Sequence, residues 1–220
     1  MGTGIIITLL FIVVCLRYAE KRIGKGKTSI FTKIHIPASI LLALVAVAHI
    51  VITLPFLDAR PISIYITGFA IMFFILLAVL NRFMVGKGKI KIHRIAALLA
   101  GIFIVLHIAT NLVGVTVYQN QVSNIVVENI DLTNIPDGIY VGEYDVTYVY
   151  AKVEVTVQSG RITNIEILEH RGGTQGIPAE AIVYTIYEQQ RIDVDTVSGA
   201  TNSSRVIQAA ILDALPGDYN

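Results

Sequence analysis

Four histidines lie in the apolar part of this chain as two pairs of equal spacing, His35 with His49 and His93 with His107. Fourteen residues separate the members of each pair. On an α-helix this is close to four turns, so the second imidazole returns to within about 40° of the first, roughly 21 Å further along the axis. Imidazole is an axial ligand of haem iron, and a bis-imidazole site between helices needs this geometry. Because ionisable residues are costly inside a membrane, the spacing predicts two haem sites across a bilayer.

A helix-capping or interfacial role is the competing interpretation of these histidines. It fits His35 and His93 best, because each stands beside basic residues at the edge of an apolar run. It fits His49 and His107 least, because both lie deep in apolar sequence. The repeated spacing therefore favours the interpretation as ligands.

The polarity of the 220 residues is unevenly distributed along the chain. Residues 1–118 hold nearly all of the long apolar runs, whereas 119–220 have the composition of an ordinary soluble domain. A helix needs about 20 apolar residues to cross a bilayer, and four segments approach or reach this length: Gly4–Leu16, Ile36–Leu57, Ile62–Leu80 and Ile95–Val117. The single cysteine, Cys15, excludes an internal disulfide and a cysteine-based iron–sulfur or zinc site.

The basic residues predict the orientation, since short cytoplasmic loops are enriched in Lys and Arg. The first junction carries one acid, Glu20, and six basic residues: Arg17, Lys21, Arg22, Lys25, Lys27 and Lys33. The third carries no acid and five basic residues: Arg82, Lys87, Lys89, Lys91 and Arg94. The second has only Asp58 and Arg60. We therefore expect a multi-pass protein of the cell membrane, with both basic loops in the cytoplasm and the N-terminus and residues 119–220 outside. Nothing basic precedes residue 17, so we expect the first helix to be retained.

Residues 32–50 and 90–108 align at an offset of 58, and each segment follows a Gly-Lys-Gly-Lys stretch. Both contain Lys-Ile-His near the start, Leu-Leu-Ala near the middle and His-Ile at the end. With these histidines, residues 30–110 resemble the di-haem membrane cytochromes b. The resemblance implies two haem b groups, with His35 and His93 on the inner iron and His49 and His107 on the outer iron. Small residues allow a macrocycle or a neighbouring helix to approach at Ala43, Ala46, Ala100 and Gly101.

The rest of the chain predicts an α+β domain. Alternation over Lys152–Val157 and Ile162–Leu168, around a Ser159-Gly160 turn, predicts a hairpin. Amphipathic periodicity predicts helices over 178–190 and 203–215. The Asn-rich segment 119–136 is interpreted as a linker, which divides the chain into a four-helix transmembrane domain at 1–118, the linker, and an outer domain at 137–220.

Between the two predicted helices lies Asp195-Thr196-Val197-Ser198-Gly199-Ala200-Thr201. Small residues before a helix suit a phosphate, because backbone N–H groups and the helix dipole point towards it; an ordinary helix N-cap is the alternative. The order hairpin, Gly172–Gly176 loop, helix, motif, helix resembles the FMN-binding domain family over residues 135–215. That family includes the C subunit of the sodium-translocating NADH:quinone reductase and the G subunit of the Rnf complex.

The resemblance implies that a flavin transferase joins FMN to Thr201 through a phosphoester bond. Asp195, Ser198, Gly199 and Ala200 would form the recognition motif of that enzyme. The chain continues with Asn202-Ser203-Ser204, where many family members have an aromatic or aliphatic residue and Thr-Ser. His170, at the end of the predicted hairpin, is expected to be a surface residue and not a ligand.

Together these features predict electron transfer across the membrane through two b haems to or from a covalent FMN on the outer face. Such a protein is an oxidoreductase or an electron-transfer component with redox donor and acceptor proteins or quinone as partners, and it is not expected to bind nucleic acid; oligomers are possible. One alternative is a quinol or quinone oxidoreductase with a substrate pocket among the helices. Another is a non-catalytic flavin-carrying sensor or assembly subunit without haem.

Overall fold

The computed structural model describes residues 2–22, 30–54, 60–81 and 88–216. It divides into two compact units. The first, which we call the helical unit, comprises Met1–Leu57 and Ile62–Leu112. The second, which we call the mixed unit, comprises Asp58–Pro61 and Val113–Asn220. The first Gly-Lys-Gly-Lys stretch and half of the second fall outside the described residues. So do the last four residues of the chain and five junction residues: Lys25, Lys27, Asp58, Arg82 and Lys87.

Among the described residues, four helices are long and apolar enough to cross a membrane. They are α1 (Gly2–Arg22), α2 (Ile30–Thr53), α3 (Ile62–Leu80) and α4 (Lys89–Ser123). The prediction of four apolar helices is confirmed, although α1, α2 and α4 all begin before the apolar segments that predicted them, and α1 and α4 also end later. Large side chains such as Leu44, Ile66 and Leu98 are exposed on these helices. Exposed apolar faces of this extent fit helices solvated by lipid.

Some buried positions of the helical unit repeat along its sequence. Its buried cluster consists of Ile7, Leu42, Ala46, Ile71, Ile75, Ala100 and Ile104. Ile7 and Ile71 hold equivalent places in α1 and α3, 64 residues apart, while Ala46 and Ile104 do so in α2 and α4, 58 residues apart. These positions thus recur from α1–α2 to α3–α4, while α1 and α2 lie closer together than α3 and α4 do. Two of the small residues noted in the sequence, Ala46 and Ala100, are buried in this cluster.

In the described part of the mixed unit, three strands form one antiparallel sheet in the order β1-β2-β3. The strands are β1 (Gly138–Val146), β2 (Val149–Gln158) and β3 (Arg161–Arg171). The predicted hairpin is confirmed as β2–β3. Its turn has positive φ at both central residues, 52° at Ser159 and 71° at Gly160, as the tight turns that match strand twist require.

Helices cover one face of this sheet. A short α5 (Gly173–Gly176) and a 3-10 turn (Ile177–Ala181) lead into α6 (Ile182–Gln189), and α7 (Thr201–Ala214) ends the described fold. The predicted helices at 178–190 and 203–215 are confirmed, with ends shifted by a few residues. Alternate residues of β2 and one side of α7 are fully buried, for example Val153, Val155, Ile207 and Ile211. Burial of each such side chain contributes about 1.5–3 kcal/mol to stability.

The segment 119–136, which we interpreted as a linker, is part of the packed structure. Helix α4 continues to Ser123, and four residues of the segment belong to the same buried cluster as the sheet and α7: Val122, Ile125, Leu132 and Ile135. Asp131 accepts a hydrogen bond from the backbone N–H of Thr133 at 3.0 Å, which stabilises the 3-10 turn of residues 132–134. These apolar residues are buried, but their spacing is too irregular to indicate a strand or a helix. The sequence therefore did not predict that they belong to the core.

Gly142 of β1 provides a test of how tightly α7 packs on the sheet. A Cβ at this position would collide with backbone atoms of Ala210 and Ala214 in α7. Since backbone cannot move aside as a side chain does, Gly142→Ala should destabilise the mixed unit by about 1–3 kcal/mol. Eight of the ten tyrosines lie in this unit, so tyrosine fluorescence can follow its thermal unfolding. Ile139→Ala, at an exposed position of the same strand, is the control and should leave the midpoint nearly unchanged; equal midpoints for both variants would contradict the packing.

Candidate functional site

The imidazoles of His35 and His93 face each other within the helical unit. Their ring centroids are 6.0 Å apart with an angle of 74° between the planes. A metal–nitrogen bond of about 2 Å on either side would put two imidazoles that share one ion at about this separation. The structure therefore brings together the first pair of histidines that the sequence predicted.

The Nδ1 atoms of both imidazoles are hydrogen-bonded to backbone carbonyls of the preceding helix. His35 bonds to Val14 at 3.2 Å and His93 bonds to Ala78 at 3.0 Å. A carbonyl oxygen can only accept, so the proton of each neutral ring is on Nδ1 and the lone pair is on Nε2. This is the tautomer that a metal-binding imidazole requires, with the other nitrogen held by an acceptor.

His49 and His107 are held in the same way, by threonine hydroxyls instead of carbonyls. Thr3 Oγ1 lies 2.7 Å from Nδ1 of His49, and Thr67 Oγ1 lies 2.8 Å from Nδ1 of His107. The Thr67 hydroxyl donates its only proton to the backbone carbonyls of Ser63 and Ile64, each at 3.0 Å. It must therefore accept from His107, which again leaves the lone pair on Nε2.

These four partners repeat with the hairpins. Thr3 and Thr67 are 64 residues apart, and so are Val14 and Ala78. A glycine follows each threonine, and a Cβ at Gly68 would lie 3.6 Å from Cε1 of the His107 ring. This second repeat was not predicted, because it lies outside the histidine-bearing helices. The shared Thr-Gly dipeptide in the helices that precede them was the available signal.

In the mixed unit, the predicted motif forms the loop and first residue of α7. The backbone N–H of Ala200 donates to Val197 at 3.0 Å, which closes a turn whose third residue, Gly199, has a φ of 79°. A side chain would be strained at that angle. Asp195 and Ser198 are exposed, Ala200 is buried, and Thr201 is exposed as the first residue of α7.

Side chains from α7 hold this loop from behind. Ser204 Oγ accepts from the Val197 N–H and donates to the Ala200 carbonyl, each at 3.1 Å. Gln208, which is buried, donates to the carbonyls of Ile192 and Val194, each at 2.8 Å. These hydrogen bonds from Ser204 and Gln208 hold the backbone of the loop in place. The Thr201 hydroxyl takes no part in them and stays accessible. Asn202 bonds the Tyr118 hydroxyl, which belongs to the end of α4.

The expectation that His170 is a surface residue is wrong, since its side chain is only 3% exposed. The cause is a bulge in β3. Val153 pairs with Ile167 but Lys152 pairs with Glu169, so Leu168 is an extra residue that reverses the alternation. His170 therefore lies opposite Ala151, a core-facing residue. Its Nδ1 is 2.9 Å from Oε1 of Glu180.

The next residue of β3 faces the other way. Arg171 lies 4.6 Å above the ring of Tyr150, and the Tyr150 hydroxyl donates to Glu143 at 2.8 Å. This hydrogen bond raises the pKa of Tyr150 to about 12. The hydroxyl therefore remains a donor at neutral pH, and these contacts help to hold the end of the strand that carries His170.

Four residues surround a small space beside the first turn of α7, and we call them the glycine cradle: His170, Gly172, Gly176 and Ser203. A Cβ at Gly172 would lie 2.7 Å from Ser203 Oγ and 2.8 Å from His170 Nε2. A Cβ at Gly176 would lie 2.6 Å from Ser203 Oγ. Only glycine at both positions leaves this space open. The sequence showed the glycines but not that His170 and Ser203 meet there.

A groove of about 550 Å³ runs between β3 and the helices that follow it. Apolar side chains make up much of its lining, including Ile165, Ile167, Ile177, Val183 and Tyr184. Glu180 lines the groove and also bonds His170 of the glycine cradle. The volume lies within the range typical of small-molecule sites, about 300–1,000 Å³.

Comparison with known families identifies one part of the chain. Residues 150–216 match the family described as FMN-binding domain. The matched region begins in β2 and ends just after α7, so it contains the glycine cradle, the Asp195–Thr201 motif and the groove. Neither the curated proteins nor the solved structures provide a match to this chain. Residues 150–216 of the mixed unit are thus similar to an FMN-binding domain, and the four apolar helices of the chain fit a membrane protein.

Proposed function

We propose that this chain transfers electrons across a membrane between two haem b groups and an FMN linked to Thr201 on the outer face. The FMN-binding domain suggests flavin-linked electron transfer. The observation that supports the membrane part is the repeated anchoring of all four imidazoles through Nδ1. His35 and His93 would hold the inner haem iron, and His49 and His107 the outer one.

The donor set favours haem over a bare metal ion. Among the described residues, no group of three or more His, Cys, Asp and Glu side chains could hold a metal. Two imidazoles suffice for an iron whose remaining ligands come from a macrocycle. Bound haem would supply one-electron transfer, and FMN can exchange one or two electrons, so the two cofactors together suit partners of either kind.

The protein's own contribution in the membrane is to orient the imidazoles and to exclude water. Each ring is fixed by a hydrogen bond from one nitrogen and by packing within apolar helices. Ala46, Ala100 and Ile104 are buried between the two histidine levels. Fixed ligands in a dry, apolar surrounding are the conditions under which second-sphere hydrogen bonds tune a metal site.

The covalent link is supported by the complete motif in its observed setting. Thr201 presents an exposed hydroxyl, and Gly199 and Ala200 place small residues directly before it. Backbone N–H groups in the first turn of α7 would stabilise a bound phosphate. A separate flavin transferase would recognise Asp195 to Thr201 and form the phosphoester bond.

The orientation is proposed from the charges. Eleven basic residues lie at the two junctions assigned to the cytoplasm, against one in the remaining junction. Residues 119–220 carry five Lys or Arg and fourteen Asp or Glu. The positive-inside rule then places the FMN-binding domain outside, where a covalent bond prevents loss of the flavin by diffusion.

The haem assignment is tested first by haem content. His107→Ala should roughly halve the haem measured by the pyridine haemochrome assay, because the inner pair is intact. Full haem content in both His49→Ala and His107→Ala would contradict the assignment. A wild-type spectrum with a flavin band but no Soret band would favour a sensor without haem.

The threonine contacts allow a more specific test of the outer haem site. Thr67→Val keeps the side-chain volume but removes the acceptor for His107 Nδ1, so the outer haem should be retained about tenfold more weakly or more. Thr110→Val is a matched control, because Thr110 bonds the backbone carbonyl of His107 at 3.0 Å and not the ring. Equal haem retention in the two variants would show that the ring contact is unimportant.

The covalent flavin is tested at Thr201. The chain coexpressed with a flavin transferase should be heavier by one esterified FMN, and it should fluoresce in a denaturing gel. Thr201→Val should abolish both signals while leaving the thermal midpoint and haem content unchanged, because the side chain is exposed. Added mass that maps to Ser203 would contradict the site, and its absence in wild type would leave at most a non-covalent flavin.

The orientation is tested by cysteine labelling in a Cys15→Ser background. Glu188→Cys, at an exposed position of α6, should react in intact cells with a membrane-impermeant reagent. Lys91→Cys, exposed near the start of α4, should react only after lysis. The reverse pattern would place the flavin inside.

A further inference from the structure

A buried polar atom in the glycine cradle has no partner in the described part of the chain. This atom is Nε2 of His170. The ring is held firmly by the Nδ1 contact to Glu180 at 2.9 Å, so Nε2 has a defined position. A buried polar group without a partner lowers stability, and such a group in a binding domain points to a ligand that satisfies it.

The position of Nε2 narrows the choice of ligand. A Cβ at Gly172 would contact both His170 Nε2 and Ser203 Oγ, so both polar atoms border the same small space. Ser203 is the third residue of α7, two residues after Thr201. The space therefore lies beside the helix N-terminus, where the dipole and backbone N–H groups favour an anion.

The Glu180 contact prepares the imidazole for this role. The carboxylate accepts from Nδ1 at 2.9 Å, and the imidazolium form of the ring donates from both nitrogens. Nε2 can then donate to an anionic oxygen, and the Ser203 hydroxyl can donate beside it. The Glu180 carboxylate, the His170 imidazolium and the phosphate would then lie in a row, with charges that alternate in sign.

We propose that His170 Nε2 and Ser203 Oγ hydrogen-bond the phosphate of the FMN linked to Thr201, which makes His170 a positioning residue for the flavin. This inference rests on the proposed covalent site. No bond is formed or broken by His170; it fixes the phosphodiester and so limits the motion of the attached flavin. Gly172 and Gly176 are needed because a Cβ at either position would collide with Ser203 Oγ, one of the two groups that contact the phosphate.

The test uses the full chain coexpressed with a flavin transferase, in which intact mass first confirms attachment. His170→Leu keeps an apolar side chain of similar size, whereas His170→Gln keeps an N–H donor. Glu169→Gln, the exposed neighbour on the other face of β3, is the control. The measurements are the ³¹P chemical shift of the phosphodiester and the fluorescence anisotropy of the flavin.

His170→Leu should shift the ³¹P resonance and lower the anisotropy, while His170→Gln and Glu169→Gln stay close to wild type. If His170 had only a structural role, the N–H donor that His170→Gln keeps would not restore the wild-type ³¹P chemical shift. If His170→Leu does not accumulate, Ser203→Ala must produce the same shift. A ³¹P resonance and anisotropy that are unchanged in His170→Leu, or in Ser203→Ala where that variant replaces it, overturn the proposal. Wild type without added FMN would instead remove the covalent site itself, and this contact with it.

Discussion

An imidazole inside an apolar bundle must satisfy its N–H without help from water, and the helical unit depends on this constraint. A buried donor without an acceptor is destabilising. Each of the four histidines has a hydrogen-bond partner at Nδ1 from the helix that precedes its own. The partners of His35 and His93 are carbonyls, and those of His49 and His107 are threonine hydroxyls. These bonds fix the register within each hairpin, and they leave the lone pair on Nε2 wherever the direction of the bond is determined.

The mixed unit solves a different problem, which is to present one hydroxyl on a rigid support. Helix α7 buries almost its whole length against β1 and β2, with Gly142 allowing the backbones to approach. Its buried polar residues, Ser204 and Gln208, turn inward to bond the preceding loop. Thr201 is the residue left exposed at the N-terminus. The proposed covalent attachment of a flavin at Thr201 would gain from this arrangement, because the attachment point moves only if the helix does.

Two levels of repetition connect the histidines with the rest of the chain. The spacing of fourteen residues was visible in α2 and α4, because histidine is rare in apolar helices and therefore conspicuous. The matching repeat in α1 and α3 rests on Thr-Gly and on two apolar residues that contribute only their backbone carbonyls. A backbone carbonyl that acts as a hydrogen-bond partner cannot be recognised in a sequence, since every residue has a carbonyl. Half of the hydrogen-bond partners of the four histidines were therefore invisible until the helices were packed.

The sequence alone determined the four apolar helices, the β2–β3 hairpin, α7 and the motif before it, because each of these follows from local periodicity or turn chemistry. Only the tertiary structure decided the environment of His170. One extra residue in β3 reverses the facing of the strand end, and such a bulge depends on pairing with β2, which periodicity does not record. Likewise, residues 122–135 became core because α7 and the sheet lie against them. Contacts between residues far apart in the chain decide burial, and burial converts His170 from a surface residue into part of a site.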